Sequence, residues 1–406
     1  MNNFDILSLE GGLNNIQGIY TNGVNVGMKT TKANGSTIKD EFDPDVMFLR
    51  SDEPMQISAI FTTNKFQAAP IQHFQEYPKN FKTNFLLANS KNANAMTLDE
   101  GLADIKDIFK ELSNHIDITN PIMSSTGVIG QRLDIDKITS AFTKFDFNSK
   151  NSNASAQAIM TTDTFKKELC FKVELTDGSY FHIAGIAKGA GMIEPSMATM
   201  LSFLVTDADI PKSDMAELLA TVSDSSFNAI SVDGDTSTND TLMLLSTNKQ
   251  AYDKEAFEIA LKMICERFAF DMLRDGEGST KVVAFEVTGA KDDNQARIAA
   301  KALSNSLLVK TALFGEDPNW GRIASTIGAS GIECDPKKLV IKYDDLTIYS
   351  RQNPQMSQDT EDKAYKIMKN PEFKISCDIG IDDGKFTAYG CDLSYEYVKI
   401  NAEYRS

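Results

Sequence analysis

Chemistry in this sequence concentrates where a lysine, two glycines and a proline run into an apolar stretch: Lys188-Gly189-Ala190-Gly191-Met192-Ile193-Glu194-Pro195-Ser196-Met197-Ala198-Thr199-Met200-Leu201-Ser202-Phe203. One hydroxyl residue, Thr199, stands at the head of the apolar run. Composition leaves two readings of it open. Thr199 is either a β-branched residue on a buried strand or a nucleophile. If the Ala198–Thr199 peptide bond is broken, Thr199 gains an α-amine that titrates at about 7.7–8.0 and lies one residue's length from its own Oγ. It would then be both nucleophile and base. The small Ala198 side chain leaves room for Oγ to attack the Ala198 carbonyl in an N-to-O acyl shift, with hydrolysis to follow.

Other routes to catalysis are poorly supported. The three histidines, His73, His115 and His182, lie in no HExxH and beside no GxSxG elbow, so a histidine-based triad has no local partner. Gly189-Ala190-Gly191 begins like a dinucleotide turn, but Glu194 occupies the last glycine position. Asp233-Gly234-Asp235 opens like a calcium loop, yet Thr238 and Leu244 stand where Gly and Glu are required. Gly276-Glu277-Gly278-Ser279-Thr280-Lys281 resembles fragments of a phosphate loop without the Gly-Lys-Ser/Thr core. Neither a metal nor a cofactor is expected from these segments. The five cysteines are widely spaced and contain no CxxC, and they read as small core residues in a reducing compartment.

The elements that must position this chemistry alternate between two periods. Leu98, Leu102, Ile105, Ile108, Phe109 and Leu112 predict an amphipathic helix over 98–114. Ala256 through Phe268 predict a second over about 253–270, and Ala296, Ala299, Ala300 and Leu303 a third over 292–307. Period-two runs at Leu169–Leu175 and Tyr180–Ile186 flank Asp177-Gly178 and predict a hairpin. A second hairpin is predicted from Ile375–Ile381 and Phe386–Leu393 around Asp382-Asp383-Gly384. The polar stretch 148–155 reads as a surface connection inside a domain. Hairpins mixed with helices predict an α+β fold of layered mixed sheets and helices.

Charge narrows the partners. With Lys+Arg 41 against Asp+Glu 57, the net charge of −16 supplies no positive surface for phosphates, so nucleic acid is not expected. A cationic small molecule suits the field better. An apolar fraction of 42% and a charged fraction of 24% are ordinary globular usage, which excludes collagen-like and mostly disordered chains. No run approaches 18 apolar residues and no secretory leader is evident, so an intracellular, cytoplasmic protein without a membrane span is expected.

Six blocks decide between the readings of Thr199. Lys188–Leu201 (KGAGMIEPSMATML), Ser124–Gly130 (SSTGVIG), Ala158–Thr164 (AIMTTDT), Arg274–Lys281 (RDGEGSTK), Phe314–Ile323 (FGEDPNWGRI) and the terminal Asn401–Ser406 (NAEYRS) appear in the order found in one family. The chain resembles the glutamate N-acetyltransferases, also called ornithine acetyltransferases, of arginine biosynthesis, over nearly its whole length.

The resemblance implies an N-terminal-nucleophile-like architecture and self-cleavage at Ala198–Thr199. This divides the chain into an α chain, 1–198, and a β chain, 199–406, interwoven in one catalytic unit. Thr199 would take the acetyl group of N-acetylornithine as an ester, release ornithine, and pass the acetyl group to glutamate. Thr126 and Gly127 would stabilise the tetrahedral oxyanions. Substrate contacts map onto Thr161, Lys188, Thr199, Glu277, Asn401 and Ser406. Lys188 would neutralise a substrate carboxylate, and Glu277 would face the ornithine δ-ammonium or exclude water. Asn401 and Ser406 would hold the α-amino-acid group. The same resemblance implies no cofactor, with acetyl-CoA as an optional co-substrate, and a heterotetramer of two α and two β chains.

Two departures stand out. Lys91 in Ser90-Lys91-Asn92-Ala93-Asn94-Ala95 replaces a common glycine, which questions any positive φ there, and Ser406 stands where threonine is frequent. The competing functions are a hydrolase of similar architecture, such as an aminopeptidase, which passes the acyl group to water, and an uncleaved amino-acid-binding protein.

Overall fold

Two mixed sheets with helices layered on them make up the computed structural model, which describes residues 3–28, 43–194 and 200–404. Ala198, Thr199 and Ser406 lie outside the described residues. The larger sheet contains β1 (Phe4–Leu9), β2 (Ile19–Val24), β3 (Val46–Phe61), β4 (Lys82–Asn89), β5 (Ile122–Ser125), β6 (Lys167–Leu175), β7 (Tyr180–Lys188) and β8 (Leu201–Ala208). The short β9 (Ile230–Ser231) belongs to the second sheet, and β10 (Thr241–Gln250) completes the first in the order β1-β6-β7-β8-β10-β3-β4-β5, with β2 paired to β3. The second sheet adds β11 (Val282–Ala290), β12 (Val340–Tyr343), β13 (Leu346–Tyr349), β14 (Glu372–Asp378) and β15 (Gly384–Cys391), ordered β13-β12-β14-β11-β15-β9. Both sheets mix parallel and antiparallel pairs, as in β8 beside β10 and β11 beside β14. The fold is α+β.

All the helices but the last, which buries no residue, lay an apolar face against the core beside a sheet. On the larger sheet these are α1 (Ala69–Gln75), α2 (Leu98–Leu112), α3 (Ile135–Ser140), α4 (Ser152–Ala158), α5 (Lys212–Ser225) and α6 (Lys254–Arg274). In α2, Ile105, Ile108, Phe109 and Leu112 pack under the sheet, whereas Leu98 at its start is exposed. The Asp253 carboxylate caps α6 by accepting the Ala256 N–H. Together α5 and α6 cover Phe181, Ile183 and Leu204 of β7 and β8, and α6 also reaches β9 and β15. The second sheet carries α7 (Asp293–Asn305), α8 (Leu307–Phe314), α9 (Trp320–Ala329) and α10 (Gln358–Met368), and α11 (Tyr395–Ala402) follows β15. Small residues at Ala296, Ala299 and Ala300 form the buried face of α7.

The first predicted hairpin is present: Glu174 pairs with Tyr180, and the turn uses Gly178 at φ 85°. The second is corrected. Strands β14 and β15 both form, but β11 lies between them, parallel to one and antiparallel to the other. Alternation specifies which face a residue takes and leaves its neighbour open, and here the link between the strands crosses the end of β11, where the Ile379 N–H reaches the Thr288 carbonyl. The segment 148–155 is a surface connection only as far as Asn151, and its second half is corrected, because α4 begins at Ser152. Asn151 caps α4, the Ser152 hydroxyl accepts the Leu13 N–H at 3.0 Å, and Ser155 shares a 2.6 Å hydrogen bond with Thr21. Asn151, Ser152 and Ser155 serve as cap and buried partners, chemistry that in sequence looks the same as a loop. Four cysteines are buried as expected, but Cys334 is exposed, and all five are free. Among the described residues no helix is long and apolar enough to cross a membrane.

Candidate active site

Strand β7 delivers Lys188 as its last residue, paired with Leu201, the first residue of β8. Beside that pair lies a cavity of about 280 Å³ whose wall includes Thr126, Gly127, Thr161, Lys188, Glu277 and Asn401. These residues come from the loop after β5, the turn after α4, the end of β7, the loop after α6 and the last turn of α11. All six predicted site residues that fall among the described residues therefore meet at one cavity. Met200, which follows Thr199 in the chain, is held at the base of β8: its N–H donates to Asp240 Oδ1 at 3.2 Å and its carbonyl accepts the Thr241 N–H.

The loop after β5 is fixed by asparagines. Asn89 donates to the Ser90 and Asn92 carbonyls and accepts the Ser125 hydroxyl, and Asn239 donates to the Ala93 and Ser125 carbonyls at 2.6 and 2.8 Å. The Thr126 N–H is taken by the Asn89 carbonyl and the Val128 N–H by the Lys91 carbonyl, while the Gly127 N–H between them has no partner among the described residues. Gly127 has φ 134°, and a Cβ there would fall 2.1 Å from the Lys91 carbonyl carbon, so only glycine fits. Lys188 Nζ donates to Thr126 Oγ1 at 3.5 Å, which leaves the hydroxyl proton of Thr126 available to another acceptor. One amide and one hydroxyl are thus available as donors at the cavity wall.

Under this wall lies a set of buried charges. Lys167 Nζ donates to Asp163 Oδ1 at 2.9 Å and to Asp275 Oδ2 at 2.5 Å, with all three side chains fully buried. Asp163 also accepts the Gly189 N–H at 2.7 Å and the Thr161 N–H at 3.1 Å, so it supports two cavity segments at once. Burial pushes the Asp163 carboxyl up, but Lys188 and Lys167 more than offset this and hold it at about 2. Burial lowers the Lys188 ammonium, with Lys167 adding to the effect and Asp163, Glu277 and Asp240 opposing it. Asp240 is pushed well above the usual carboxylate range by burial, against the opposing pull of the Met200 N–H and of Lys188. Asp163, Asp275, Asp240 and Glu277 thus stand with Lys167 and Lys188 at or behind the cavity, and Lys91 Nζ reaches the Thr161 carbonyl at its wall.

The three glycine loops that matched no known motif in sequence also meet here. Gly191 packs so closely on Glu277 that a Cβ would fall 2.4 Å from the carboxyl carbon, and the Glu277 N–H donates to the Ala190 carbonyl. Asp233 accepts the Met192 and Ile193 N–H groups and the Tyr397 hydroxyl. Asn401 Nδ2 donates to Glu277 Oε2 at 2.7 Å, tying α11 to the same wall. Sequence reasoning missed Asp163, Asn239 and Asp240. Asp163 lies inside the block Ala158–Thr164, and no local pattern marks the other two. The histidines stay apart from the cavity, with His182 paired to Asp207, His115 beside Glu111 and His73 buried against Tyr77 and Phe109.

An α+β scaffold that gathers two available donors and a set of buried charges around a cavity this small has the form of an enzyme site for a small charged metabolite. Comparison with known proteins is specific. The model of the ArgJ family matches residues 30–406. The chain is 52% identical over 405 residues to the arginine biosynthesis bifunctional protein ArgJ of Wolinella succinogenes, covering 99% of this chain and 100% of that one. It is 40% identical over 359 residues to the glutamate N-acetyltransferase of Methanothermobacter thermautotrophicus, covering 86% and 89%. A crystal structure of the arginine biosynthesis bifunctional protein from Bacillus halodurans is similar at 37% identity and TM-score 0.45, over 49% of this chain and 97% of that chain. The chain belongs to the ArgJ family and is an acyltransferase of arginine biosynthesis.

Proposed function

We propose that this chain cuts its own Ala198–Thr199 bond and then moves the acetyl group of N-acetylornithine to glutamate through an acetyl-Thr199 ester. The observation that carries the reading is the convergence of Thr126, Gly127, Thr161, Lys188, Glu277 and Asn401 on one cavity beside the first residues of β8. In the precursor, Thr199 Oγ attacks the Ala198 carbonyl, the C–N bond breaks, and the hydroxyl proton passes to the leaving nitrogen. That step frees the Thr199 amine, and water then hydrolyses the ester to the Ala198 carboxylate and the Thr199 hydroxyl. In turnover, Oγ attacks the acetyl carbonyl while the α-amine takes its proton and returns it to the departing ornithine nitrogen. The glutamate amine attacks the ester, and its proton restores the Thr199 hydroxyl.

Each tetrahedral oxyanion would accept from the Gly127 N–H and the Thr126 hydroxyl, the latter polarised by Lys188. Glu277, held by Asn401, is the counter-charge for a substrate that brings its own cation, as the ornithine δ-ammonium does. Asn401 and Ser406 hold the α-amino-acid group. No cofactor enters this cycle, acetyl-CoA serves as a second acetyl donor, and the working assembly is two α and two β chains in the cytoplasm.

The test is transfer from N-acetylornithine with and without glutamate, read together with intact mass. N-acetylglutamate formed in proportion to ornithine by a two-chain protein supports the reading. Acetate released equally without glutamate would instead mark a hydrolase, and an active uncut chain would remove the proposed base.

A further inference from the structure

Lys91 adopts φ 72°, in the left-handed region where a side chain is strained and glycine is not. The positive φ that the sequence placed in question is therefore kept despite the lysine. Its backbone forms the floor beneath Gly127: the Lys91 carbonyl accepts the Val128 N–H at 3.1 Å, and the close contact with Gly127 described above is with Lys91 itself. Its side chain runs to the opposite wall, where Nζ donates to the Thr161 carbonyl at 3.2 Å. One residue thus touches both the loop that carries the Gly127 N–H and the turn that carries Thr161. That turn is held from below by Asp163, which accepts the Thr161 N–H, and by Asp275, which accepts the Thr164 N–H at 2.9 Å. Lys91 ties it to the oxyanion loop. Strain survives at a position when the surroundings over-determine it, and such positions cluster at ligand clamps.

We infer that Lys91 is a positioning residue that clamps the Thr161 turn to the Gly127 loop and so sets the spacing between the acyl-donor contacts and the oxyanion donors. This rests on the acetyl-transfer reading for its catalytic consequence but not for the clamp itself. Three variants of the full chain separate the parts. Lys91→Gly removes both strain and tie, Lys91→Met keeps the strain and removes the tie, and Lys91→Arg keeps a donor.

Amide hydrogen exchange in peptides covering 159–165 quickens about tenfold in Lys91→Met and Lys91→Gly and stays near wild type in Lys91→Arg. In the same two variants the KM for N-acetylornithine rises about tenfold while kcat stays within about twofold, and Lys91→Arg recovers it. Lys91→Met melts below Lys91→Gly, because only the former retains the backbone strain. Unchanged exchange at 159–165 overturns the clamp, and faster exchange with an unchanged KM in an active enzyme overturns its role in positioning substrate. The exchange effect in a protein whose wild type transfers no acetyl group supports the clamp and defeats the function proposed above.

Discussion

The two sheets handle buried polarity differently. Between the second sheet and helices α7, α9 and α10 the interior is hydrocarbon, with Val283, Phe285, Ile341 and Ile375 facing Ala299, Leu303, Ile327 and Met368. Its ion pairs, such as Lys291–Glu333 and Lys363–Asp359, stand in solvent, where they contribute little. At the cavity end of the larger sheet, Asp163, Lys167, Asp275, Lys188 and Asp240 are buried together. Lys310 is an exception near the second sheet, buried with Nζ on the Cys391 carbonyl. Buried ion pairs add little net stability because desolvation offsets their attraction. Their concentration beside one cavity therefore marks where the fold serves chemistry, and the hydrocarbon layer marks where it serves cohesion.

That contrast can be broken or sharpened. The largest effect is expected at Thr199. Thr199→Ala leaves one uncut chain and no acetyl transfer, since it removes the oxygen both acyl steps use, whereas Thr199→Ser keeps partial cleavage. Intact mass decides, and two chains in the alanine variant would refute the mechanism. Next, Thr126→Val removes a polarised hydroxyl at constant shape and is expected to lower kcat by about 10²–10³-fold, the range for losing one oxyanion donor. Normal turnover in that variant would leave the buried Lys188–Thr126 contact without a catalytic purpose.

Ile375→Ala probes the other layer. It empties a fully buried position and should cost about 2–5 kcal/mol in urea unfolding. Below its melting range kcat/KM should hold, and a parallel fall would show that the two layers do not divide their labour. The smallest effect is a pH dependence. Asp163 is held at about 2 against an ordinary 3.8, so its stabilisation is complete above the ordinary value and is lost as pH falls through about 2. The difference amounts to about 2 kcal/mol, measurable as the extra acid sensitivity of wild type over Asp163→Asn. Asp240, pushed up by burial, acts with the opposite sign, and its cost grows as pH rises above the ordinary carboxylate value.

Much of this molecule is legible without coordinates, and the reason is that the information is local. The buried faces of α2, α6 and α7 follow from residues three and four apart, and the Asp177-Gly178 turn from two residues whose conformational preferences are intrinsic. The candidate site residues came from ordered blocks of a family resemblance, and Thr199 is identified by its neighbours along the chain. Folding decided what depends on distant segments meeting. It put β11 between two strands that alternation alone would pair, and turned the second half of the 148–155 segment into the start of a buried helix. It also set Asp163, Asn239 and Asp240 behind residues as much as 146 positions away, and made Lys91 a strained tie between two walls. A carboxylate or an amide has the same local signature on a surface as in a core, and only the fold determines what it faces once water is gone.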